Sequence, residues 1–158
     1  NINKLVLKDR EKNRIFKYIP HGLNSKIYFP LNENEKEFNN FKKQIFKGNT
    51  PKFTMFFNSR NIRRKQIPDA LLAYRAFLDS LPLQEALQCK FVLHTELVTD
   101  AGTDLAAVHE YLFGEKYGEC VVFSTQKLSQ PQLNYLYNMA DVQILITSNE
   151  GWGLSLTE

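Results

Sequence analysis

Two glutamates around a pair of glycines form the segment whose residue types and spacing could do chemistry. Glu150 and Glu158 lie either side of Gly151 and Gly153, directly after the strongly apolar residues 142–147. Carboxylates accept hydrogen bonds from hydroxyl groups, and backbone amides freed at a glycine turn ahead of a helix suit an anionic ligand. A phosphorylated sugar carries both kinds of group, so the segment predicts a site for such a ligand.

A second candidate segment, residues 58–65, is strongly basic. Its cations lie in a loop ahead of a predicted helix and are Arg60, Arg63, Arg64 and Lys65. Arginine binds phosphate oxygens through two parallel hydrogen bonds, and lysine adds a compact charge. The segment therefore predicts phosphate binding, and four simply solvated charges are the alternative explanation.

Both segments follow short apolar runs that predict strands. Four such runs lack clean alternation, as strands buried on both faces do, and they cover residues 52–58, 90–95, 119–124 and 142–147. Helical patterns cover residues 35–46, 67–81, 103–113 and 129–140. Strand alternating with helix predicts an α/β fold with a doubly wound parallel sheet. Because such sheets bind ligands beyond the carboxyl ends of their strands, both candidate segments are expected at one edge.

Local signals predict where the helices begin and end. Pro68 suits a first helical turn, and Pro82 ends the same helix. Gly114 is a stop signal for the next helix. Ser129 and Gln132 have the spacing of a capping box, which predicts the start of the last long helix.

Composition bounds the class of protein. The chain has 158 residues, about one domain, with 43% hydrophobic and 23% charged residues, as ordinary globular proteins have. Its net charge of +3 does not by itself argue for a nucleic-acid partner. No apolar run approaches the roughly 20 residues that span a bilayer, and the first residues lack a signal-peptide layout. We therefore expect a cytoplasmic protein, or one peripheral to a membrane.

The two cysteines carry little chemistry in this sequence. Cys89 and Cys120 stand apart, each at the start of an apolar run, without a CxxC pattern or a cluster of other metal ligands. This placement predicts buried structural thiols and no metal site.

Three separated motifs lie in order along residues 19–158. The first is Ile-Pro-His-Gly-Leu-Asn at residues 19–24, ahead of Phe-Pro at residues 29–30. The second is Ser59-Arg60 with Lys65 five residues on. The third is Ala-Asp-Val at residues 140–142, then a serine at 148 and Glu-Gly-Trp-Gly-Leu...Glu over residues 150–158.

Together these motifs resemble the carboxyl-terminal domain of the group 1 (family 4) retaining glycosyltransferases. In that family an Ile-Pro-Asn-Gly-like turn precedes Phe-x-Pro, Gly-Arg-Leu precedes Lys-Gly, and a Glu-x7-Glu signature closes the set. Ser59 and Gln66 stand where the family usually has glycine, and Thr125 takes roughly the place of another. The resemblance implies a Rossmann-like half of a GT-B enzyme, in which two such domains face each other across a cleft.

The resemblance also implies roles for individual residues. Arg60 and Lys65 would neutralise the diphosphate of a nucleotide-sugar donor, and Glu150 would lie against the transferred sugar near the reacting centre. Glu158 would bind the ribose hydroxyls. The other implied donor contacts are the backbone of Gly151, Trp152, Gly153, Leu154 and Ser155, and Lys127 and Leu128 near the nucleobase. The resemblance implies no metal and no cofactor besides the donor substrate.

The implied activity is that of a hexosyl-type glycosyltransferase that retains anomeric configuration. Residues 1–14 are predicted to form a connector or the tail of a preceding acceptor domain. Residues 15–158 are predicted to form an incomplete donor-binding domain. We therefore expect a fragment that has no turnover alone, whose sugar, lipid-linked or protein acceptor binds through the other domain. Nucleic acid is not an expected partner of such an enzyme. The alternative is a non-catalytic α/β module whose basic segment binds nucleotides or nucleic acid.

Overall fold

The computed structural model describes residue 17 and residues 19–158. The connector predicted over residues 1–14 lies outside those residues. Among the residues that are described, no helix is both long and apolar enough to cross a membrane.

Strands and helices alternate from Phe53 onward. In chain order the elements are α1 (Lys36–Ile45), β1 (Phe53–Asn58), α2 (Ile67–Asp79), α3 (Leu83–Ala86), β2 (Cys89–His94), α4 (Leu105–Tyr117), β3 (Val121–Ser124), α5 (Gln130–Asn138), β4 (Val142–Gln143) and α6 (Leu154–Thr157). Short 3₁₀ turns at Arg63–Lys65 and Gly118–Cys120 lead towards α2 and β3.

The strands form one parallel sheet in the order β3-β2-β1-β4. β1 and β2 pair over six residues each, from Phe53 opposite Cys89 to Asn58 opposite His94. β4 pairs with β1 at two positions only. Helices cover both faces of this sheet, so the predicted α/β fold with a doubly wound parallel sheet is confirmed.

Two hydrophobic clusters hold the helices to the sheet. One joins α2 and α4 to the face that carries Phe57, Phe91 and Leu93, and the other joins α1 and α5 to the face that carries Phe56 and Val92. All five of these strand side chains are fully buried, and each contributes about 1.5–3 kcal/mol by leaving water. Neighbouring strand residues point to opposite faces, and both faces are apolar, which explains why the strands lack alternation.

Several local predictions are confirmed. Ser129 and Gln132 form the capping box of α5, in which the Ser129 amide donates to Oε1 of Gln132 at 2.9 Å. Pro68 lies in the first turn of α2. Cys89 and Cys120 are free and buried, as predicted for structural thiols.

Gly114, the predicted stop signal, breaks the helix with a non-helical φ of 45° and ψ of −144°, and one further turn follows the kink up to Tyr117. One boundary differs from the sequence prediction. The strand predicted over residues 142–147 pairs only at Val142–Gln143. Farther along, the Thr147 hydroxyl and the Ser148 amide donate to the Arg64 carbonyl instead of to a strand, at 3.0 and 2.9 Å.

Candidate functional site

The strand order creates a crevice beside the carboxyl end of β1. The chain leaves β1 through α2 to reach β2 on one side, whereas β4, reached through α5, lies on the other side of β1. Where the connections that leave two neighbouring strands run in opposite directions, a crevice forms between those connections. Open α/β sheets bind their ligands in such a crevice. The basic segment follows β1 and the glutamate segment follows β4, so the two candidate segments flank this crevice.

A cavity of about 350 Å³ lies between these two segments and is called the Glu150 cavity here. It is lined by His21, Asn58, Ser59, Lys65, Glu150, Gly151, Trp152, Gly153, Leu154 and Ser155. This placement agrees with the expectation that Lys65 lies close to the residues from Glu150 onward.

Glu150 forms ion pairs with two cations of the basic segment. Its Oε2 contacts Lys65 Nζ in a close ion pair and lies 3.3 Å from Arg64 Nη1. The Lys65 side chain is only 11% exposed, whereas that of Glu150 is 24% exposed. The Lys65 hydrogen bond and charge, helped by Arg64, hold the pKa of Glu150 below its usual value. Glu150 is therefore an ionised hydrogen-bond acceptor at neutral pH.

Arg64 ties the two segments together through its backbone as well as its side chain. Its Nη1 donates to the Asn149 carbonyl at 2.9 Å, and its own carbonyl accepts from Thr147 and Ser148. From the sequence, Arg64 is only one of the four cations of the basic segment and has no predicted role of its own in the site. Its partners are more than 80 residues away in the chain, so the sequence carries no signal that singles it out.

Gly153 shapes the turn that brings the glutamate segment back towards β1. It takes a φ of 79° as the residue before α6, a left-handed conformation that glycine adopts without strain. Trp152 is partly exposed, packs its ring edge against His21 at 5.2 Å between centroids, and donates from Nε1 to Thr157. Leu154 is exposed, and the Ser155 carbonyl accepts from Gln143.

Glu158 is anchored through two tyrosines rather than lining the Glu150 cavity directly. Tyr137 donates to its Oε2 at 2.5 Å, and Asn58 donates to the Tyr137 hydroxyl at 2.8 Å. Burial, followed by the bond to Glu158, raises the pKa of Tyr137, so its hydroxyl stays protonated as a donor. Burial and the Glu158 charge also raise the pKa of Tyr28. Glu158 thus lies half-buried at the edge of the crevice, connected to β1 through Asn58.

A second cavity, of about 420 Å³, lies over the carboxyl ends of β1, β2 and β3 and is called the Thr95 cavity here. It is lined by Asn58, Ser59, Arg60, His94, Thr95, Glu96, Ser124, Thr125, Gln126 and Lys127. Asn58 and Ser59 line both cavities, so the two are adjacent across one wall. Arg60 and Lys127 are placed here and not beside Lys65, whereas Leu128 packs against the cluster under α5.

Two neighbouring residues at the Thr95 cavity, His94 and Thr95, have polar side chains. His94 Nδ1 lies 2.9 Å from the Ser124 carbonyl oxygen, which can only accept, so Nδ1 carries the proton. Burial lowers the pKa of His94 despite this bond, which keeps the ring neutral at pH 7. Thr95 is 7% exposed, and its hydroxyl has no hydrogen-bond partner within the described part of the chain.

Asn61 fixes the wall between β1 and β2. It is 1% exposed, its amide nitrogen donates to the carbonyls of Leu97 and Thr103, and its Oδ1 accepts from the Thr103 amide. A Cβ on Gly102 would lie 2.3 Å from Asn61 Oδ1, so only glycine fits there. Asn61 therefore sets how the Arg60 loop lies against the loop that follows Thr95. Nothing in its sequence context distinguishes it from a solvated polar residue.

The two cavities together offer cations, a fixed carboxylate and several neutral hydrogen-bonding groups along one edge of the sheet. Among the residues that the structure describes, 17 and 19–158, no cluster of three or more histidine, cysteine, aspartate or glutamate side chains could hold a metal ion. Comparison with protein-family models and with curated proteins found no match for this chain.

Proposed function

We propose that the chain is the donor-binding domain of a retaining glycosyltransferase that uses a nucleotide sugar. The observation that carries the proposal is the ion-paired Glu150, Lys65 and Arg64 at the crevice beside β1, next to a second polar cavity. A nucleotide sugar has matching parts in the same order, a hydroxyl-rich sugar, a diphosphate and a nucleoside. The sugar belongs in the Glu150 cavity and the nucleobase in the Thr95 cavity, with the diphosphate passing Asn58 and Ser59.

The cations of the basic segment would act on the leaving group. Lys65 and Arg60 approach the shared wall from its two sides, where a diphosphate would lie. Negative charge grows on the leaving phosphate as the glycosidic bond breaks. Cations held in place beforehand therefore stabilise the transition state more than the ground state.

Glu150 would hold the sugar rather than attack it. Its carboxylate is ionised and already accepts from Lys65 and Arg64, so its remaining lone pairs suit sugar hydroxyls. Retention would then follow from a front-face displacement assisted by the leaving phosphate. Glu158, presented by Tyr137 and Asn58, would accept from the ribose hydroxyls, and Lys127 would lie at the nucleoside end.

The proposed acceptor is a sugar, a lipid-linked sugar or a protein, brought by a separate domain. This assignment follows from the family resemblance, in which the acceptor meets the donor across the GT-B cleft. The test of the function is therefore donor binding, which the chain can be asked to perform by itself.

The test is isothermal titration of the chain with UDP, GDP, ADP and their sugar conjugates. We expect at least one nucleoside diphosphate to bind and to raise the melting temperature by mass action. Arg60→Ala should weaken all of them alike, by about 10-fold, because it removes one charge-assisted phosphate contact. Glu158→Ala should erase the difference between ribo and deoxyribo ligands.

The matched control for charge is Lys52→Ala, an exposed lysine at the other end of β1, which should leave binding unchanged. Equal behaviour of the Glu158→Ala and wild-type chains towards ribo and deoxyribo ligands contradicts the ribose assignment. Salt-dependent binding of oligonucleotides without any binding of nucleoside diphosphates would replace the proposal by the nucleic-acid alternative.

A further inference from the structure

A cavity lies along the outer edge of β3, which is the last strand of the sheet on the side away from β4. Its volume is about 290 Å³, and it is called the β3-edge cavity here. Three consecutive strand residues line it, Val121, Val122 and Phe123. Val122 packs with the cluster under α1, whereas Val121 and Phe123 pack with the cluster under α4. Because the cavity touches residues that pack on both faces, it runs past the open edge of the strand.

The backbone of β3 leaves hydrogen-bonding groups open along this edge. Residues 121–124 pair with β2 alone. Beyond that ladder, no hydrogen bond within the described part of the chain reaches the backbone of Val122 or Phe123. Neighbouring residues of an edge strand direct their amides and carbonyls to opposite sides, so one of these two residues presents both groups away from β2. Such an edge is the surface to which an extended peptide adds.

The surroundings of the β3-edge cavity are basic. Residues 42–52, which span the end of α1 and the loop to β1, contain four lysines and no aspartate or glutamate. One of them, Lys47, lines the cavity, and its Nζ lies 3.3 Å from Oε2 of Glu119. Both side chains of this pair are exposed, at 75% and 82%, so water weakens the pair and an incoming carboxylate can replace Glu119.

A buried lysine adds to this charge. Lys90 lines the cavity and is 9% exposed, as Lys65 is. Lys65 is neutralised by Glu150. Lys90 instead donates to the neutral carbonyl of Glu119, and no carboxylate of the described residues forms an ion pair with it. Because a buried charge is most stable beside an opposite charge, the cavity favours a ligand that brings a carboxylate.

We propose that the edge of β3 binds an extended acidic segment of a partner protein, which adds to the sheet as a further strand. Side chains of an added strand alternate between the two faces of the sheet. On the face of α1, which Lys90 shares with Val92, the carboxylates of the segment meet Lys47 and Lys90. On the face of α4, its apolar side chains pack against Phe123 and His109, whose rings already contact each other.

This proposal is independent of donor binding. The β3-edge cavity shares no lining residue with the Glu150 cavity or the Thr95 cavity. A chain that binds no nucleoside diphosphate would therefore still be expected to bind the acidic segment.

The test is a titration of the ¹⁵N-labelled chain with a short capped peptide of alternating valine and glutamate, followed through the amide chemical shifts. We expect saturable shifts at residues 45–49 and 118–123, which border the β3-edge cavity, and none at residues 58–65. Two further peptides are N-methylated, one at its valines and the other at its glutamates. Only one of these keeps the amides of its pairing edge, so the other is expected to bind about 10-fold more weakly.

Two charge variants test the selection of an acidic segment. Lys47→Glu should weaken binding of the valine–glutamate peptide about 10-fold, because it places a second negative charge beside Glu119. Lys36→Glu is the matched control, an exposed lysine at the other end of α1, and it leaves the affinity unchanged. A peptide with lysine in place of glutamate should give no saturable shifts.

Several results would overturn the proposal. Absence of saturable shifts with the valine–glutamate peptide excludes the site, and equal binding of the two N-methylated peptides excludes strand addition. Equal losses in Lys47→Glu and Lys36→Glu exclude a local role of charge. Shifts at the same residues with an oligonucleotide but not with the peptide would assign the surface to nucleic acid. Shifts there on concentrating the chain alone, without an effect of the peptide, would assign it to a second copy.

Discussion

The Glu150 cavity and the Thr95 cavity share a wall but satisfy their polar groups in different ways. In the Glu150 cavity, a buried lysine is neutralised from within the chain, by a carboxylate that a second cation also contacts. In the Thr95 cavity, the charges lie exposed at the rim, and a buried neutral hydroxyl has no partner among the described residues.

The difference follows from the cost of burying each kind of group. An unpaired buried charge is far more costly than an unpaired hydroxyl, so a folded chain can leave the hydroxyl open but must pair the lysine. The Glu150 cavity is therefore organised by ion pairs within the chain. In the proposed function, this cavity would hold the sugar and the Thr95 cavity the nucleobase end of the donor.

Lys65→Met gives the largest expected effect, and it removes the organised charge of the Glu150 cavity. Methionine keeps most of the buried apolar stem but leaves Glu150 with Arg64 as its remaining cation. We expect nucleoside diphosphate affinity to fall about 100-fold by calorimetry, because the phosphate loses a charge-assisted partner. Circular dichroism confirms the fold of the variant, and Lys127→Ala at the other cavity serves as the comparison. Similar losses for both would show that the cavities do not divide their roles.

Gly153→Ala has an intermediate effect and tests whether the turn holds Glu150 in place. A left-handed φ costs a residue with a Cβ about 1–2 kcal/mol, which corresponds to roughly 2–8 °C in melting temperature for a chain of this size. The new Cβ would meet Leu145 at 3.5 Å and Glu150 at 3.6 Å, ordinary contact distances, so the cost is conformational. Gly151→Ala, which meets nothing within 4 Å, is the control, and an equal loss in both variants contradicts the explanation.

The smallest expected effect is on acid stability, where the two regions respond in different pH ranges. The pKa of His94 is lowered from 6.5, so the unfolded state takes up its proton first, and stability declines as the pH falls below about 6.5. The pKa of Glu150 is lowered from 4.5, so its contribution is present above about pH 4.5 and is lost as the pH falls through its folded value.

Chemical denaturation of the wild type across pH 3 to 8 checks both declines. His94→Asn should remove the first decline and leave the second, and Glu150→Gln should do the reverse. One broad decline that neither variant alters would mean that other groups govern acid stability.

The sequence predicted the sheet well because its signals are local. Each buried strand appears as an apolar run, and the capping box of α5 lies within four residues. The extent of β4 was not predictable, because Thr147 and Ser148 bond to the Arg64 carbonyl, more than 80 residues away.

The candidate site was predictable in outline but not in its pairing. Topology brings the basic and glutamate segments to one crevice, as expected for strands that end at the same edge. The 3₁₀ turn at Arg63–Lys65 then turns Arg64 and Lys65 towards Glu150, while Arg60 lines the other cavity. Gln66, after this turn, takes a φ of 45°, so a conformation that favours glycine occurs at the position where the resembling family has one. The Thr95 hydroxyl is buried and has no hydrogen-bond partner among the described residues, and nothing in the sequence indicates this.

The short pairing of β4 has a consequence for how the protein opens. β1 and β2 share six register positions, whereas β4 is attached to β1 through two. Regions with few ordered contacts open locally, without unfolding the rest of the domain. The amides of residues 142–150 should therefore exchange with deuterium sooner than those of β1 and β2. The loop that carries Glu150 would then open separately from the rest of the domain. Ligand binding would slow deuterium exchange only at the amides of that loop.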